Sequence, residues 1–162
     1  MERLVGSEMC IRDRYDIYLD SNNKFYDHDA AARVRDELFH FIDDLSKSPN
    51  IDSDNITLIG FSQGAILSHA ISFSYPEKIK NIIALSGIVD EKIMKKTSLI
   101  PKTNIYISHG TNDNLIDYKT SKESLNFYIE NDIKFKFESY DQGHGINQQN
   151  LEGMIKWLIR DI

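Results

Sequence analysis

An α/β fold, with a mostly parallel sheet flanked by helices, is predicted by two features of this 162-residue sequence. Short apolar segments rich in β-branched residues recur along the chain, and segments with helical spacing of apolar residues separate them. Strands that alternate with helices in this way form parallel sheets. With 41% apolar residues the chain can bury one core, so residues 15–162 are predicted to form a single domain.

The first predicted elements are a short strand at residues 15–19 and a long helix. Asp27 or Asp29 can cap the start of this helix, and Ser48 and Pro49 end it. Its apolar residues recur at steps of three and four: Ala30, Val34, Leu38, Phe41, Ile42 and Leu45. This stripe is predicted to face the core.

A buried strand is predicted at residues 55–59, and a buried helix begins near residue 65. The turn between them, residues 60–64, is G-F-S-Q-G. A G-x-S-x-G turn that joins a strand to a helix lifts the serine hydroxyl above the edge of the sheet. Ser62 is therefore the candidate nucleophile. A serine hydroxyl is weakly nucleophilic alone, so an acid and a histidine are required further along.

Both groups follow later predicted strands. A strand at residues 81–85 precedes one at 105–110, after which a polar turn delivers Asp113. A strand at 135–140 leads to His144, which glycines flank. Because ligands of open α/β sheets bind at the carboxyl ends of the strands, the three groups are expected to meet there. The chain order serine, acid, histidine is the order in α/β-hydrolases.

Other polar residues receive secondary interpretations. Asp141 and Asp117 are rival candidates for the acid, and Asp117 can instead cap the following helix. His109 is interpreted as structural support for the acid loop. Ser86 ends a strand near the site but lacks the flanking glycines of the turn at residue 62, so it is interpreted as structural.

Two helices complete the predicted order. One spans residues 118–131, with its inner face formed by Leu125, Tyr128 and Ile129. The last helix is predicted to bury a stripe with Trp157 at its margin; the stripe residues are Leu151, Ile155, Leu158 and Ile159.

Four motifs together resemble the phospholipase/carboxylesterase family, which includes acyl-protein thioesterases and small bacterial esterases. They are G-F-S-Q-G-A at 60–65, A-L-S-G at 84–87, H-G-T-N-D at 109–113 and G-H-G at 143–145. The resemblance runs from about Tyr15 to the C-terminus. It implies an α/β-hydrolase that cleaves small-molecule acyl esters, thioesters or lysophospholipids without a metal or organic cofactor. Compared with the family pattern, the first strands are lacking.

The resemblance also assigns roles. Ser62 would be the nucleophile, His144 the general base and acid, and Asp113 the group that orients the imidazole. The backbone N–H of Gln63 would be one oxyanion donor, and a loop after an earlier strand should supply the second. That loop is not found in the sequence, so weak or absent activity is expected of the chain as it stands. Leu115 and Ile116 either contact the acyl chain or seat the acid loop.

The N-terminal residues 1–14 are predicted to be a non-native leader. Residues 9–14, M-C-I-R-D-R, resemble the translation of a transposon end used as a sequencing adapter. A natural N-terminal segment with this sequence is the alternative. If the first strands are lacking, the strand before Ser62 or the strand near Tyr15 becomes an exposed apolar edge. Marginal stability or self-association is then expected, and the sequence leaves the oligomeric state open.

Composition narrows the class of partner. The net charge is −6 and no basic stripe is interleaved with aromatic residues, so nucleic acid is not expected. No apolar run approaches the roughly 20 residues that cross a bilayer, so stable membrane insertion is not expected either. The lone cysteine, Cys10, excludes a disulfide framework, and a cytoplasmic location is expected. The spacing of His28, His40 and His69 does not suggest a metal site.

Three alternatives to an esterase stay open. A serine peptidase of the prolyl-oligopeptidase type shares the turn and the chain order, but usually carries a further glycine where this chain has Ala65. A dienelactone-hydrolase-like enzyme generally uses cysteine where this chain has Ser62. A catalytically impaired fragment would act at most as a binding module.

Overall fold

The computed structural model describes the backbone of residues 2–3, 17–20 and 23–159 and the side chains of residues 26–159. The strands are β1 (Glu2–Arg3), β2 (Ile17–Asp20), β3 (Asn23–Tyr26), β4 (Thr57–Phe61), β5 (Asn81–Leu85), β6 (Asn104–Gly110) and β7 (Lys136–Tyr140). The α-helices are α1 (His28–Ser46), α2 (Gln63–Ser74), α3 (Tyr118–Ser124), α4 (Asn126–Glu130) and α5 (Gln148–Leu158). A 3₁₀ turn spans Glu91–Ile93.

The main sheet has the order β4-β5-β6-β7, and all of its strands run parallel. This confirms the predicted fold class. A smaller antiparallel sheet joins β1, β2 and β3. Strand β2 overlaps the strand predicted at 15–19, and β1 lies within the predicted leader. Residues 1 and 4–14 lie outside the described residues, so the leader stays a prediction.

Helices cover the main sheet unequally. Helix α2 is almost completely buried, including its polar residues Ser68, His69 and Ser72, because α1 and α4 pack around it on one face of the sheet. On the other face, α5 packs against Ile83, Leu85 and Tyr106. Among the described residues, α5 is the only helix on that second face.

Strand β4 is not buried as its apolar sequence predicts. It forms one edge of the main sheet, and the side chain of Ile59 is 57% exposed. Phe61 points to the same face and is also exposed, because the one described helix on that face, α5, covers β5 and β6 instead.

Helix α1 begins as predicted, with the Asp27 side chain accepting a hydrogen bond from the Ala30 N–H at 2.9 Å. Its predicted stripe is only partly correct, since Phe41 and Leu45 are exposed. The helix predicted at 118–131 is two helices that break at Leu125. Leu125 and Tyr128 are buried as predicted, but Ile129 is exposed.

The predicted core stripe of the last helix is wrong except at Leu158, which is half-buried against the sheet. Leu151, Ile155 and Ile159 are exposed, and the buried residues are Asn150 and Trp157. Trp157 packs against Tyr106 with a ring-centroid distance of 5.5 Å, and Met154 and Leu158 flank this contact. The spacing of apolar residues gives α5 two apolar sides, and the side with the larger aromatic surface lies on the sheet.

His69 of α2 is buried in this core and should make stability depend on pH. Its Nδ1 lies 2.5 Å from the Tyr128 hydroxyl, and burial lowers the pKa of His69 to about 3. In the unfolded chain the histidine has a pKa near 6.5, so below that pH it is protonated in the unfolded chain while it stays neutral in the folded one. The contribution of His69 to the free energy of unfolding is therefore complete above about pH 6.5, and it is lost as the pH is lowered from there toward 3.

Between pH 7 and pH 5, this single group should remove roughly 2 kcal/mol from the free energy of unfolding. Urea unfolding at both pH values measures the loss. A His69→Gln variant, in which the side chain still accepts a hydrogen bond but does not titrate, should lose less stability by about that amount. The exposed His40→Gln variant is the matched control. Equal pH dependence in His69→Gln and the wild-type protein would contradict the prediction.

Candidate active site

Ser62 lies in the tight turn between β4 and α2, as the sequence predicts. Its backbone angles are φ 54° and ψ −117°, a conformation that costs free energy for a residue with a side chain. The turn is closed so tightly that a Cβ on Gly60 would lie 2.2 Å from the carbonyl oxygen of Gly64. The Ser62 N–H donates to the Leu85 carbonyl at 2.9 Å, which ties the turn to β5. The hydroxyl is thereby held at the carboxyl end of β4.

Asp113 lies three residues after the end of β6, and its side chain is completely buried. Its Oδ1 accepts hydrogen bonds from the backbone N–H groups of Leu115 at 2.8 Å and Ile116 at 2.9 Å. Burial raises the pKa of the Asp113 carboxyl, but hydrogen bonds from His144 and from the Ile116 and Leu115 amides outweigh it and hold the pKa below its usual value. The carboxylate is therefore ionised at neutral pH.

His144 follows β7 and connects the other two side chains. Its Nδ1 lies 2.8 Å from Asp113 Oδ2, and its Nε2 lies 3.0 Å from Ser62 Oγ. An ionised carboxylate only accepts hydrogen bonds, so Nδ1 carries the proton and donates to it. Nε2 then presents its lone pair to the serine hydroxyl. The Phe61 ring lies against the imidazole, with 4.9 Å between ring centroids.

The structure thus brings the three sequence-predicted side chains into one hydrogen-bonded chain. Such a chain can transfer a proton from the serine to the imidazole while the carboxylate stabilises the imidazolium. The rival acids lie elsewhere. Asp117 caps α3 by accepting from the Thr120 N–H at 2.9 Å, and Asp141 accepts from the Asn112 side chain at 2.6 Å.

The remaining predicted residues surround this chain. Gln63 is the first residue of α2, next to the serine. The first N–H groups of a helix stand outside its own ladder, and this end of a helix carries partial positive charge. The backbone N–H groups of Leu115 and Ile116 seat Asp113, while the Leu115 side chain is exposed and the Ile116 side chain is half-buried.

His109 supports the acid loop, as its position at the end of β6 suggested. It is fully buried, and its Nε2 lies 2.8 Å from the Ile116 carbonyl oxygen and 3.3 Å from Asp113 Oδ2. Gln142 supports the histidine loop in a similar way, but it was not identified from the sequence. It lies between β7 and His144, and its side chain hydrogen-bonds to the backbone of Gly145 and Asn147, both of which follow the histidine.

Neither a metal centre nor a membrane-spanning helix is found among the described residues. Within residues 26–159, no group of three or more His, Cys, Asp or Glu side chains is arranged to hold a metal ion. In the same part of the chain, no helix combines the length and the apolar character needed to cross a bilayer.

A parallel α/β sheet with a serine in a strand-turn-helix elbow, followed by an acid and a histidine, defines the α/β-hydrolase class. Comparison with known proteins specifies the family. Residues 4–161 match the family model described as phospholipase/carboxylesterase. The chain belongs to this family, which confirms the resemblance stated from the motifs.

Individual relatives are carboxylesterases and thioesterases. The chain is 29% identical to carboxylesterase SOBER1 of Arabidopsis thaliana over 125 residues, which is 75% of this chain and 55% of the relative. It is 30% identical to acyl-protein thioesterase 1 of Candida albicans over 129 residues, 75% of this chain and 56% of the relative. The crystal structure of Arabidopsis thaliana SOBER1 superposes with a TM-score of 0.70 at 26% identity, covering 83% of this chain and 65% of that one. The chain therefore spans about half the length of the curated relatives it matches.

Proposed function

We propose that this protein is a serine hydrolase that cleaves acyl ester or thioester bonds through an acyl-enzyme on Ser62. One observation carries the proposal: Ser62 Oγ, the His144 imidazole and the Asp113 carboxylate form a continuous chain with contacts of 3.0 and 2.8 Å. The relatives named above are a carboxylesterase and an acyl-protein thioesterase, which supports this substrate class.

In the proposed first step, Ser62 Oγ attacks the acyl carbonyl carbon while His144 Nε2 takes the hydroxyl proton. The bond to the leaving alcohol or thiol then breaks, and the imidazolium returns the proton to that group. Asp113 holds the imidazole tautomer and stabilises its charged form. In the second step, His144 takes a proton from water as the water oxygen attacks the acyl carbon. The bond from that carbon to Ser62 Oγ then breaks, the imidazolium returns the proton to Oγ, and the carboxylic acid is released.

The negative oxygen of the tetrahedral intermediate would accept a hydrogen bond from the Gln63 N–H, at the positive end of α2. The Leu115 and Ile116 side chains stand beside the acid and would contact the acyl chain. Leu115 is 46% exposed, so apolar surface is available there for a substrate to cover.

The proposal is tested by labelling the protein with a fluorophosphonate probe and locating the modified residue by mass spectrometry. We expect covalent modification of Ser62 and none in Ser62→Ala. Ser86→Ala is the matched control, because Ser86 is another serine at a strand end with positive φ, but it is fully buried. This variant should be labelled as the wild-type protein is.

Substrate class is measured with p-nitrophenyl esters, an acyl thioester and a dipeptide amide. Slow hydrolysis of the esters and the thioester, without cleavage of the amide, is expected, because only one oxyanion donor is identified. Cleavage of the amide instead would favour the peptidase alternative. A folded protein whose Ser62 does not react with the probe would reject the catalytic proposal and favour a binding module.

A further inference from the structure

The backbone of the loop that carries His144 has few restraints from its own sequence. Gly143 and Gly145 flank the histidine, and glycine gives the backbone more conformational freedom than any other residue. A Cβ on Gly145 would meet no described atom within 4 Å, and one on Gly143 would meet only the Asn112 carbonyl oxygen at 3.7 Å. The residues that flank the histidine therefore add no side-chain packing to restrain the backbone of this loop, although the imidazole itself contacts Phe61 and bonds to Asp113 and Ser62.

The Gln142 side chain supplies the missing restraint. Its Nε2 donates to the Gly145 carbonyl at 2.7 Å, and its Oε1 accepts from the Asn147 N–H at 2.8 Å. One amide thus bonds the backbone on the far side of His144 from residue 142 and closes the loop into a ring. Asn147 is also the N-cap of α5, so the ring is fixed to the first turn of a helix.

The backbone of Gln142 fixes the same loop to the acid. Its carbonyl oxygen accepts from the Asn112 N–H at 3.0 Å, one residue before Asp113. A second bond, from the Asn112 side chain to Asp141 at 2.6 Å, lies beside it. The acid loop and the histidine loop are therefore joined at Gln142, the same residue whose side chain closes the ring.

From these contacts we infer that Gln142 is a positioning residue that sets the distance from His144 Nε2 to Ser62 Oγ. The inference rests on the proposed function for its catalytic consequence. The Gly145 carbonyl can only accept and the Asn147 N–H can only donate, so the bridging group must do both. Glutamate can satisfy Asn147 but would place a carboxylate oxygen against the Gly145 carbonyl. Methionine keeps the length and loses both bonds.

The rate and the affinity of fluorophosphonate labelling are measured separately for Gln142→Met and Gln142→Glu, at a temperature where every variant is folded. A displacement of about 1 Å in a reacting group can cost ~100-fold in rate. We expect the maximal labelling rate to fall roughly 10- to 100-fold in both variants, with the half-saturating probe concentration unchanged. Gln149→Met is the matched control, because Gln149 is an exposed glutamine seven residues after Gln142 and should label at the wild-type rate.

A second measurement, by NMR, reports on the hydrogen bond of the imidazole and does not depend on any reaction of Ser62. In protein labelled with ¹⁵N-histidine, the Nδ1 proton of His144 should give a downfield, slowly exchanging resonance, assigned by its loss in His144→Asn. This resonance should broaden or disappear in Gln142→Met and persist in Gln149→Met. Loss of the resonance in Gln142→Met, with a wild-type protein that the probe does not modify, would uphold the positioning role and reject the proposed function. A Gln142→Met protein with a lower melting temperature but the wild-type resonance would overturn the inference, whether or not Ser62 reacts.

Discussion

Replacing His144 with alanine is expected to lower ester turnover by about 10⁶-fold, the size of effect seen when the base of a comparable serine-histidine pair is removed. The imidazole Nε2, 3.0 Å from Ser62 Oγ, is the group that would take the serine proton. Without it, the hydroxyl would have to lose its proton to solvent at neutral pH, where a serine is almost entirely protonated. The measurement is the rate of p-nitrophenyl ester hydrolysis, together with fluorophosphonate labelling of Ser62.

The fold should survive this substitution. Asp113 would keep its hydrogen bonds from Leu115 and Ile116, and His109 would remain 3.3 Å away. The far-ultraviolet circular dichroism of His144→Ala should match that of the wild-type protein. His40→Ala, at an exposed position of α1, is the control for loss of an imidazole and should be fully active. Labelling of His144→Ala within tenfold of the wild-type rate would show that another group is the base.

The convergence of the three side chains was predictable from the sequence because it follows from two local facts and one rule of topology. The G-F-S-Q-G turn lies directly between a strand and a helix, so its type can be recognised from the local sequence. Asp113 and His144 each follow a strand. Once the strands are parallel, their carboxyl ends share one edge of the sheet, and residues 82 positions apart come into contact.

Burial was harder to predict because it depends on neighbours that periodicity does not reveal. Ile59 belongs to an apolar strand, yet it is exposed because β4 is at the edge of the sheet and α5 lies over other strands. In α5, two sides are apolar, and only the packing of Trp157 against Tyr106 decides which one faces the sheet. The sequence shows both apolar sides of the helix but does not indicate which of them packs against the sheet.

Gln142 was missed for a different reason. A single glutamine in a loop has no spacing to its partners, which are the backbone groups of Gly145 and Asn147 rather than other side chains. A usable signal is its place: a long amide side chain between the end of a strand and a histidine flanked by glycines. Where glycines leave a catalytic loop free, a nearby side chain able both to donate and to accept is the group to look for.

The second large effect is expected from Asp113→Asn, which should lower ester turnover by about 10⁴-fold while leaving the shape of the site almost unchanged. The Asp113 carboxylate faces donors on both sides: the Leu115 and Ile116 amides at Oδ1, and His144 Nδ1 at Oδ2. Asparagine has one accepting oxygen and one donating nitrogen. If the oxygen keeps the two amides, the nitrogen faces His144 and favours the tautomer in which Nε2 carries the proton. That imidazole cannot accept a proton from Ser62.

The opposite orientation of the asparagine side chain is less favourable in free energy. It would restore the bond to His144 but place the NH₂ group against the N–H groups of Leu115 and Ile116, inside a fully buried pocket. Leaving buried donors unsatisfied costs about 1–3 kcal/mol, so the first orientation should prevail and the melting temperature should fall only modestly. Turnover and thermal melting of the same samples measure the two effects.

Two substitutions of the same kind serve as matched controls. Asp117→Asn and Asp141→Asn also replace a carboxylate with an amide, and each keeps an oxygen that can accept its present bond, from Thr120 or from Asn112. Both should retain activity within a few-fold of the wild-type protein, since neither carboxylate contacts His144. A loss near 10⁴-fold in either of them, with Asp113→Asn still active, would move the orienting role to that rival carboxylate. The contact between Asp113 and His144 would then be structural, and the hydrogen-bonded chain from Ser62 would end at the imidazole.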